Sequence, residues 1–289
     1  MADWVLGVLG GSGVYDIPGL SGVRRERVET PWGDPSDELT FGELDGVRLV
    51  FLPRHGGGHR LPPSAVNARA NVDALKRAGC TDVLALSAVG SLQERLSPGT
   101  FVLVDQYIDR TFARAKSFFG DGLVAHVSMA DPVCPRLSKL AADAAREAGA
   151  DVVEGGTYLA MEGPQFSTRA ESRLYRAWGC DVIGMTNMPE AKLAREAELP
   201  YASVCMVTDY DCWREDEAHV EVASVIAVLQ ANAAKARETV RRLASRLATL
   251  PREPSPIDTT LDYALITPRA DRDPALMAKL DAVAGRVLA

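Results

Sequence analysis

The chain has 289 residues, of which 47% are hydrophobic and 25% are charged, and its formal net charge is −7. This composition is ordinary for a globular protein, and the acidic balance disfavours non-specific binding to nucleic acid. No run approaches the ~18 apolar residues of a membrane span, and the N-terminus lacks a signal-peptide pattern, so the sequence predicts a cytoplasmic protein that acts on small molecules.

Short apolar runs alternate with helical patterns along the chain, which is typical of an α/β protein. The apolar runs predict strands at Trp4–Leu9, Arg48–Leu52, Asp82–Leu86, Thr100–Val104, Thr157–Met161, Asp181–Met185 and Ala202–Val207. Helical spacing predicts helices at Pro63–Ala78, Pro135–Ala148, Thr168–Trp178, Pro189–Glu198 and Glu217–Leu250. We therefore expect a central mixed, largely parallel β-sheet that is flanked by helices.

One shift in composition occurs near the C-terminus. After Leu250 the segment Pro251–Thr260 is polar and rich in proline, and an apolar, helix-like stretch follows it. We interpret residues 1–289 as a single domain with a core at 1–250. The tail, residues 251–289, is expected to pack on that core or on a neighbouring subunit.

Glycines and polar side chains follow six of the predicted strands. These corners are Gly10–Gly13, Arg54–Gly56, Ser87–Ser91, Glu162–Ser167, Met185–Asn187 and Thr208–Asp211. In sheets of this class ligands bind beyond the carboxyl ends of the strands. The six corners are therefore expected to form one composite site.

Two of these corners carry groups that suit phosphate. The guanidinium of Arg54 and a protonated His55 both offer N–H donors. Hydroxyls of Ser12, Ser87 and Thr186 could complete an anion site. The alternatives are a surface Arg beside a satisfied His, and hydroxyls that only stabilise turns.

Asp209 and Asp211 form a second candidate constellation. In an extended segment residues two apart face the same side, so both carboxyls could point into the site. The alternative is a pair of solvated loop acids. The aromatic side chains Tyr210 and Trp213 beside them favour a binding loop.

Several well-known motifs are not matched. The glycine-rich corner has Asp16 where the dinucleotide fingerprint needs its third glycine, and it lacks the P-loop lysine. His55 and His59 are separated by three glycines and have no carboxylate in a metal-ligand pattern nearby. The five cysteines contain no C-x-x-C pair. We therefore predict no metal site.

Taken together, the motifs resemble the trimeric purine nucleoside phosphorylase family and, within it, the 5′-methylthioadenosine phosphorylases. The motifs are GGSG at 10–13, TPWGDPSD at 30–37, RHGGGH at 54–59, SAVGSL at 87–92, DQYIDRT at 105–111, EGPQFSTRAES at 162–172, GMTNMPEA at 184–191 and TDYDCW at 208–213. The resemblance implies the nucleoside phosphorylase fold and the attack of phosphate on the ribosyl C1′ of methylthioadenosine. Adenine and 5-methylthioribose 1-phosphate would be released, with no metal or organic cofactor.

The resemblance also implies a role for individual residues. The implied phosphate site is Ser12, Arg54, His55, Ser87, Ala88 and Thr186. Phe166 and Met185 would lie along ribose and base, and Asp209 and Asp211 would act as the catalytic residues at the adenine edge. Val222 and Val225 would wall the 5′-alkylthio pocket, which His126 would reach from a neighbouring subunit of a homotrimer.

The sequence departs from the family pattern at a few positions. Ser12 and Ser87 stand where threonine is common, Ala68 replaces a frequent tyrosine, and Asn187 stands where some relatives have threonine. Three rival functions remain open: a phosphorylase for 6-oxopurine nucleosides, a non-catalytic nucleotide sensor on the same fold, and a Rossmann oxidoreductase. Asp209 argues against the first, because those relatives tend to carry asparagine, and the unmatched glycine pattern argues against the last.

Overall fold

The computed structural model describes residues 3–11, 17–214 and 222–288, and at 222–227 and 229 it describes the backbone alone. The strands in these ranges are β1 (Val5–Gly10), β2 (Ser21–Glu26), β3 (Leu39–Leu44), β4 (Val47–Pro53), β5 (Asp82–Ser91), β6 (Thr100–Leu103), β7 (Gln106–Asp109), β8 (Asp151–Glu154), β9 (Thr157–Ala160), β10 (Val182–Gly184) and β11 (Tyr201–Asp209). The α-helices in these ranges are α1 (Ala68–Arg77), α2 (Pro135–Glu147), α3 (Arg169–Ala177), α4 (Asn187–Glu196), α5 (Val222–Thr249), α6 (Pro274–Lys279) and α7 (Asp281–Leu288).

All of these strands belong to one twisted sheet. Its main path is β2-β3-β4-β1-β5-β10-β9-β7, with β11 paired to β5 and β6, and β8 paired to β6. The pairings β1–β4, β1–β5, β5–β11, β6–β8, β7–β9 and β9–β10 are parallel, and the other four are antiparallel. The prediction of a mixed, largely parallel sheet in an α/β fold is confirmed.

Strand β5 is the branch point of the sheet. Its first residues pair with β1, its full length runs beside β11, and Gly90 and Ser91 at its end pair with β10. The carboxyl ends of β1, β4, β10 and β11 therefore lie around the C-terminal half of β5. This arrangement brings the polar corners of the sequence to one edge of the sheet.

Helices cover both faces of the sheet with apolar side chains. Leu75 of α1 and Leu193 of α4 are buried in one core cluster, and Leu137 of α2 and Leu243 of α5 in another. Each such side chain stabilises the fold by about 1.5–3 kcal/mol relative to its exposed state. The two layers hold the sheet, and with it the strand ends, in fixed positions.

The seven predicted strands are present within a few residues of their predicted bounds, but four further strands were not predicted. Strand β2 is exposed along its whole length and reads SGVRRE, so it has no apolar pattern to detect. Strands β7 and β8 have four residues each and carry charged ends. Strand β3 was missed although its apolar residues alternate.

The start of the first helix is also corrected. The sequence predicts a helix from Pro63, whereas α1 begins at Ala68 because the Asn67 side chain caps it by accepting from the Ala70 N–H. Residues Pro63–Ala65 form a short 3-10 helix instead.

The tail packs on the same core in this structure. Ile257, Leu261 and Val283 are buried in the two main clusters, and Arg252 donates to the buried Asp82 carboxylate at 2.6 Å. The domain bounds of the sequence analysis, with a core that ends at residue 250, stay a prediction. Among the described residues no helix is long and apolar enough to cross a membrane.

Candidate active site

An open cleft lies at the carboxyl ends of the central strands, with an empty volume of about 1170 Å³. Nine residues singled out from the sequence line this one cleft. They are Arg54, His55, Ser87, Ala88, Phe166, Met185, Thr186, Asp209 and Asp211. The structure thus brings the predicted anion-binding groups and the predicted paired carboxyls into a single site.

The remaining predicted site residues are placed differently. Ser12 lies outside the described residues, and for Val222 and Val225 only the backbone at the start of α5 is described. His126 is exposed and does not line the cleft of its own chain. Its backbone N–H donates to the Ala264 carbonyl at 2.9 Å, which joins its segment to the tail.

Arg54 is held at the base of the cleft by a partner that sequence analysis missed. Its Nε and Nη2 groups donate to the two carboxylate oxygens of Glu190, the latter at 3.0 Å. Further bonds run to the Leu86 carbonyl at 3.0 Å and the Leu9 carbonyl at 3.1 Å. Tyr201 donates to Glu190 at 3.2 Å. The guanidinium is therefore buried, charge-paired and fixed in orientation.

His55 is neutral in this site, in contrast to the protonated ring considered from the sequence. Burial, followed by the neighbouring Arg54 charge, lowers the pKa of His55 to about 4. Its Nδ1 lies 2.9 Å from the Leu61 carbonyl, which can only accept, so the neutral ring carries its proton on Nδ1 and presents Nε2 as an acceptor. The ring stacks on His59, with a centroid distance of 4.2 Å.

The predicted hydroxyls take part in a buried hydrogen-bond network. The Ser87 and Thr186 hydroxyl oxygens are 2.9 Å apart, and Ser87 donates to the Asn187 side-chain oxygen at 2.7 Å. The Thr186 N–H donates to the Tyr158 hydroxyl at 3.2 Å. Sequence analysis noted Asn187 only as a departure from relatives, and it did not find Tyr158.

Both predicted carboxyls line the cleft, but a turn places them there and not an extended segment. Strand β11 ends at Asp209, and Asp211 follows in a turn with φ of +54°. Asp209 accepts from the Thr208 hydroxyl at 2.7 Å and from the Asp211 N–H at 2.8 Å. Burial, with a smaller contribution from Asp209, raises the pKa of Asp211. The two carboxyls therefore form a coupled pair beside Gly90, where an added Cβ would come within 3.0 Å of Asp209.

Arg114, which sequence analysis also missed, holds together two segments that border the cleft. The Arg114 guanidinium donates to the carbonyls of Met185 and Met188 at 2.7 Å and to the carbonyl of Glu162 at 2.6 Å. It thereby joins two of the corners that meet in the cleft. Its distance in sequence from both corners explains why no local motif pointed to it.

Ala68 borders a second, smaller pocket that shares Arg54, Met185 and Thr186 with the cleft. Among the residues that the structure describes, no three His, Cys, Asp or Glu side chains lie close enough to share a metal ion.

Comparisons with known proteins agree on one family. The model of the phosphorylase superfamily matches residues 5–247. The S-methyl-5′-thioadenosine phosphorylase of Cereibacter sphaeroides is 62% identical over 286 residues, which cover 98% of each chain. The enzyme of the same name from Rhodospirillum rubrum is 61% identical over 98% of this chain and 97% of its own.

Solved structures point the same way. A crystal structure of a methylthioadenosine phosphorylase from an antarctic soil metagenomic library matches with a TM-score of 0.91 and 46% identity, over 98% of this chain and 99% of that chain. The S12T variant of the adenosine/methylthioadenosine phosphorylase of Schistosoma mansoni, in complex with methylthioadenosine, matches with a TM-score of 0.80 and 39% identity, over 86% and 93% of the two chains.

Proposed function

Because the chain belongs to the phosphorylase superfamily and, within it, to the S-methyl-5′-thioadenosine phosphorylases, we propose that it catalyses the phosphorolysis of 5′-methylthioadenosine. Phosphate attacks the ribosyl C1′, and adenine and 5-methylthioribose 1-phosphate are released, a reaction of purine and methionine salvage. The single observation that carries this proposal is the cleft that joins Arg54, Ser87 and Thr186 to Asp209 and Asp211.

In this proposal phosphate is bound at one end of the cleft by Arg54, His55, Ser87, Ala88 and Thr186, and also by Ser12, which lies outside the described residues. The transition state resembles an oxocarbenium ion, so a fixed phosphate anion next to C1′ stabilises the positive charge that develops there. The buried Arg54 orients one side of the anion. The neutral His55 ring presents Nε2 to the proton-bearing oxygen of hydrogen phosphate, since its Nδ1 proton faces Leu61.

The adenine base occupies the other end, beside Asp209 and Asp211. A departing purine must be protonated at N7, and a positioned acid contributes about 10²–10⁴-fold to such a step. A protonated Asp209 donates to N7 and accepts from the 6-amino group, which matches the polarity of adenine. Burial raises the pKa of the neighbouring Asp211 carboxyl, and the proximity of Asp209 raises it further.

Between the two ends, Met185 and Phe166 are proposed to lie along ribose and base. Val222 and Val225, whose side chains lie outside the described structure, are proposed to form the 5′-alkylthio pocket. Apolar walls suit a thiomethyl group better than a 5′-hydroxyl, which would be left without hydrogen-bond partners. None of the proposed steps uses a metal or an organic cofactor. Phosphate takes part as a co-substrate.

The active form is a homotrimer in which His126 reaches the alkylthio pocket of a neighbouring subunit. The exposed position of His126 supports this arrangement, as do the exposed Tyr263 and Ile266 (99% and 59%) in the tail segment that pairs with it. Large exposed apolar side chains are typical of subunit interfaces. Residues 1–289 act as one domain in each subunit, and the cytoplasmic location stays a prediction from sequence.

The test is base release from methylthioadenosine, adenosine, methylthioinosine and inosine, each with and without inorganic phosphate. We expect adenine release from methylthioadenosine that depends on phosphate. Release without phosphate would indicate a hydrolase. Nucleoside binding without release would indicate a sensor, and faster turnover of inosine substrates would favour the 6-oxopurine rival.

A further inference from the structure

Asn187 stands at the centre of the network behind the proposed phosphate end of the cleft. Its side chain is fully buried, with 0% exposed. The side-chain oxygen accepts from Ser87 at 2.7 Å and lies 3.3 Å from the Thr186 hydroxyl oxygen. The side-chain nitrogen donates to Ser203 at 2.6 Å and to Tyr107 at 3.3 Å. The amide therefore uses both its acceptor and its donor capacity, on opposite sides.

We propose that Asn187 is a positioning residue that determines which hydroxyl in the cleft can donate a hydrogen bond to phosphate. This inference rests on the proposed phosphate site. Asn187 does not line the cleft, so it acts only through Ser87 and Thr186, which do.

Each hydroxyl in this network carries a single proton, which can be directed to one partner at a time. The Ser87 proton is directed to the Asn187 oxygen, the shortest contact of that hydroxyl, so Ser87 keeps only lone pairs for other partners. The Tyr158 hydroxyl receives the Thr186 N–H, and its own oxygen lies 3.3 Å from the Thr186 hydroxyl oxygen. Tyr158 can thus donate to Thr186, which leaves the Thr186 proton available.

Without an anion, the Thr186 proton points to Ser87 at 2.9 Å and completes a chain from Tyr158 through Thr186 and Ser87 to Asn187. When phosphate binds, this proton turns to the anion, because a hydrogen bond to a charged acceptor is about twice as strong as one between neutral groups. Ser87 keeps its proton on Asn187 and does not donate to the anion, while the single proton of hydrogen phosphate faces His55 Nε2. Asn187 fixes this division of roles because its oxygen holds the Ser87 proton away from the cleft.

Two substitutions separate this role from general support of the fold. Asn187→Ala removes the acceptor, so both hydroxyls lose their fixed direction. Asn187→Asp keeps the shape of the side chain, and its two carboxylate oxygens can accept from all four hydroxyl neighbours. The aspartate therefore preserves packing, but it draws the Thr186 proton inward and adds negative charge behind the anion.

The matched control is Asn71→Ala. Asn71 is also fully buried, and its amide accepts from the Ser36 N–H at 2.8 Å and donates to the Ser36 hydroxyl at 2.9 Å. Neither Asn71 nor Ser36 lines the cleft. This variant measures what the loss of a buried asparagine does to stability alone.

The experiment is calorimetric titration of the full-length protein and its variants with inorganic phosphate and, separately, with adenine. We expect both Asn187 variants to bind phosphate about tenfold to hundredfold more weakly, the aspartate most weakly, and to bind adenine within about twofold of wild type. Asn71→Ala should bind both ligands like wild type. The midpoint of urea unfolding, measured in parallel, should fall for Asn187→Asp because an unpaired carboxylate is buried, so binding is measured without urea, where the variant is folded.

The inference is overturned if Asn187→Asp, folded, binds phosphate like wild type, or if the affinities for phosphate and adenine fall by the same factor. A wild-type protein that binds no phosphate would overturn the proposed phosphate site as well. Since binding is measured without turnover, an inactive but phosphate-binding wild type would refute the proposed reaction and leave the comparison of variants decisive for Asn187.

Discussion

The Arg54 guanidinium and the Glu190 carboxylate form an ion pair in which each side chain is only 2% exposed. The cation expected to attract phosphate is thus largely neutralised before any anion arrives. A buried pair of this kind is held in one geometry because either charge alone would be poorly solvated. In the proposed phosphate site Arg54 would therefore act on the anion by the orientation of its guanidinium more than by net charge.

This pairing predicts two separate effects of Arg54→Ala. The uncompensated Glu190 charge should lower the free energy of unfolding by about 3–5 kcal/mol, and the phosphate KM should rise steeply. Urea unfolding and steady-state kinetics measure the two effects. The double variant Arg54→Ala/Glu190→Gln should regain part of the stability but none of the phosphate binding. Wild-type phosphate kinetics in either folded variant would refute the assignment of Arg54.

The lowered pKa of His55 predicts that the stability of the folded chain depends on pH. Its pKa is lowered to about 4 in the folded chain from an ordinary value of 6.5, so between these values the unfolded chain binds more protons. The contribution of His55 is therefore fully present above pH 6.5 and is lost as the pH falls toward 4, for a total of about 3 kcal/mol.

The check is chemical unfolding of wild type, His55→Asn and His59→Asn between pH 7 and pH 4. We expect His55→Asn to flatten the fall in stability across this window. His59→Asn is the comparison: His59 is exposed, stacks on His55 and makes only a small contribution to lowering the pKa of His55, so the fall in stability should stay close to that of wild type. An identical slope in wild type and His55→Asn would show that His55 is already protonated in the folded chain.

Gly184 is predicted to be intolerant of any side chain. An added Cβ would overlap the Tyr158 hydroxyl and lie 2.8 Å from its Cζ, and Tyr158 is fully buried. Gly184→Ala should lower the free energy of unfolding by about 1–3 kcal/mol through overpacking. It should also raise the phosphate KM, because Tyr158 contacts Thr186. Gly285→Ala, where nothing lies within 4 Å, is the control, and equal stability of both variants would contradict this explanation.

Sequence reasoning found the residues of the site whose chemistry is carried by a local motif at a strand end. Arg54 and Asp209 follow buried strands, and the topology of a parallel sheet brings such ends together. Glu190 was missed because it lies 136 residues from Arg54 and, although it falls in the motif GMTNMPEA, nothing in that motif pairs it with a guanidinium. A buried polar partner of this kind becomes visible only when the chain is folded.

The same distinction, between local sequence patterns and contacts that form only on folding, explains which strands were predicted. Apolar runs identified β1, β5 and β11, whose side chains are buried on both faces of the sheet. Strand β2 escaped because edge strands are defined by the backbone groups of a neighbour and not by their own side chains. The role of Asn187 escaped for a related reason, since its partners Ser87, Tyr107 and Ser203 come from three different strands.

The proposed trimer gives a prediction of mass and of kinetics. Light scattering at assay concentration should give about three times the 31.0 kDa mass of the chain. His126→Ala should raise the KM for methylthioadenosine and leave the phosphate KM within about twofold, since His126 does not line the phosphate end of its own cleft. A fully active monomer, or a wild-type methylthioadenosine KM in His126→Ala, would refute the shared pocket.

The last prediction concerns the choice of base. Asp209 is held in place by the Thr208 hydroxyl and the Asp211 N–H, so its carboxyl meets the base in a fixed orientation. Adenine offers an acceptor at N7 and a donor at the 6-amino group, and a protonated carboxyl matches both. A 6-oxopurine offers two acceptors along the same edge, which an amide faces better than a carboxyl does.

Asp209→Asn should therefore lower kcat/KM for methylthioadenosine by about 10²–10⁴-fold, the usual contribution of a positioned acid. Inosine-type substrates should lose far less or gain, because a site matched to one hydrogen-bond pattern disfavours the other by leaving a buried group unpaired. Steady-state kinetics on methylthioadenosine, adenosine, methylthioinosine and inosine measure this change in preference.

The control is Thr208→Val, which removes one contact that orients Asp209 but retains the acid, so it should slow both classes of substrate by a similar and smaller factor. Equal losses on both bases in Asp209→Asn would mean that Asp209 supports the loop and does not read the base.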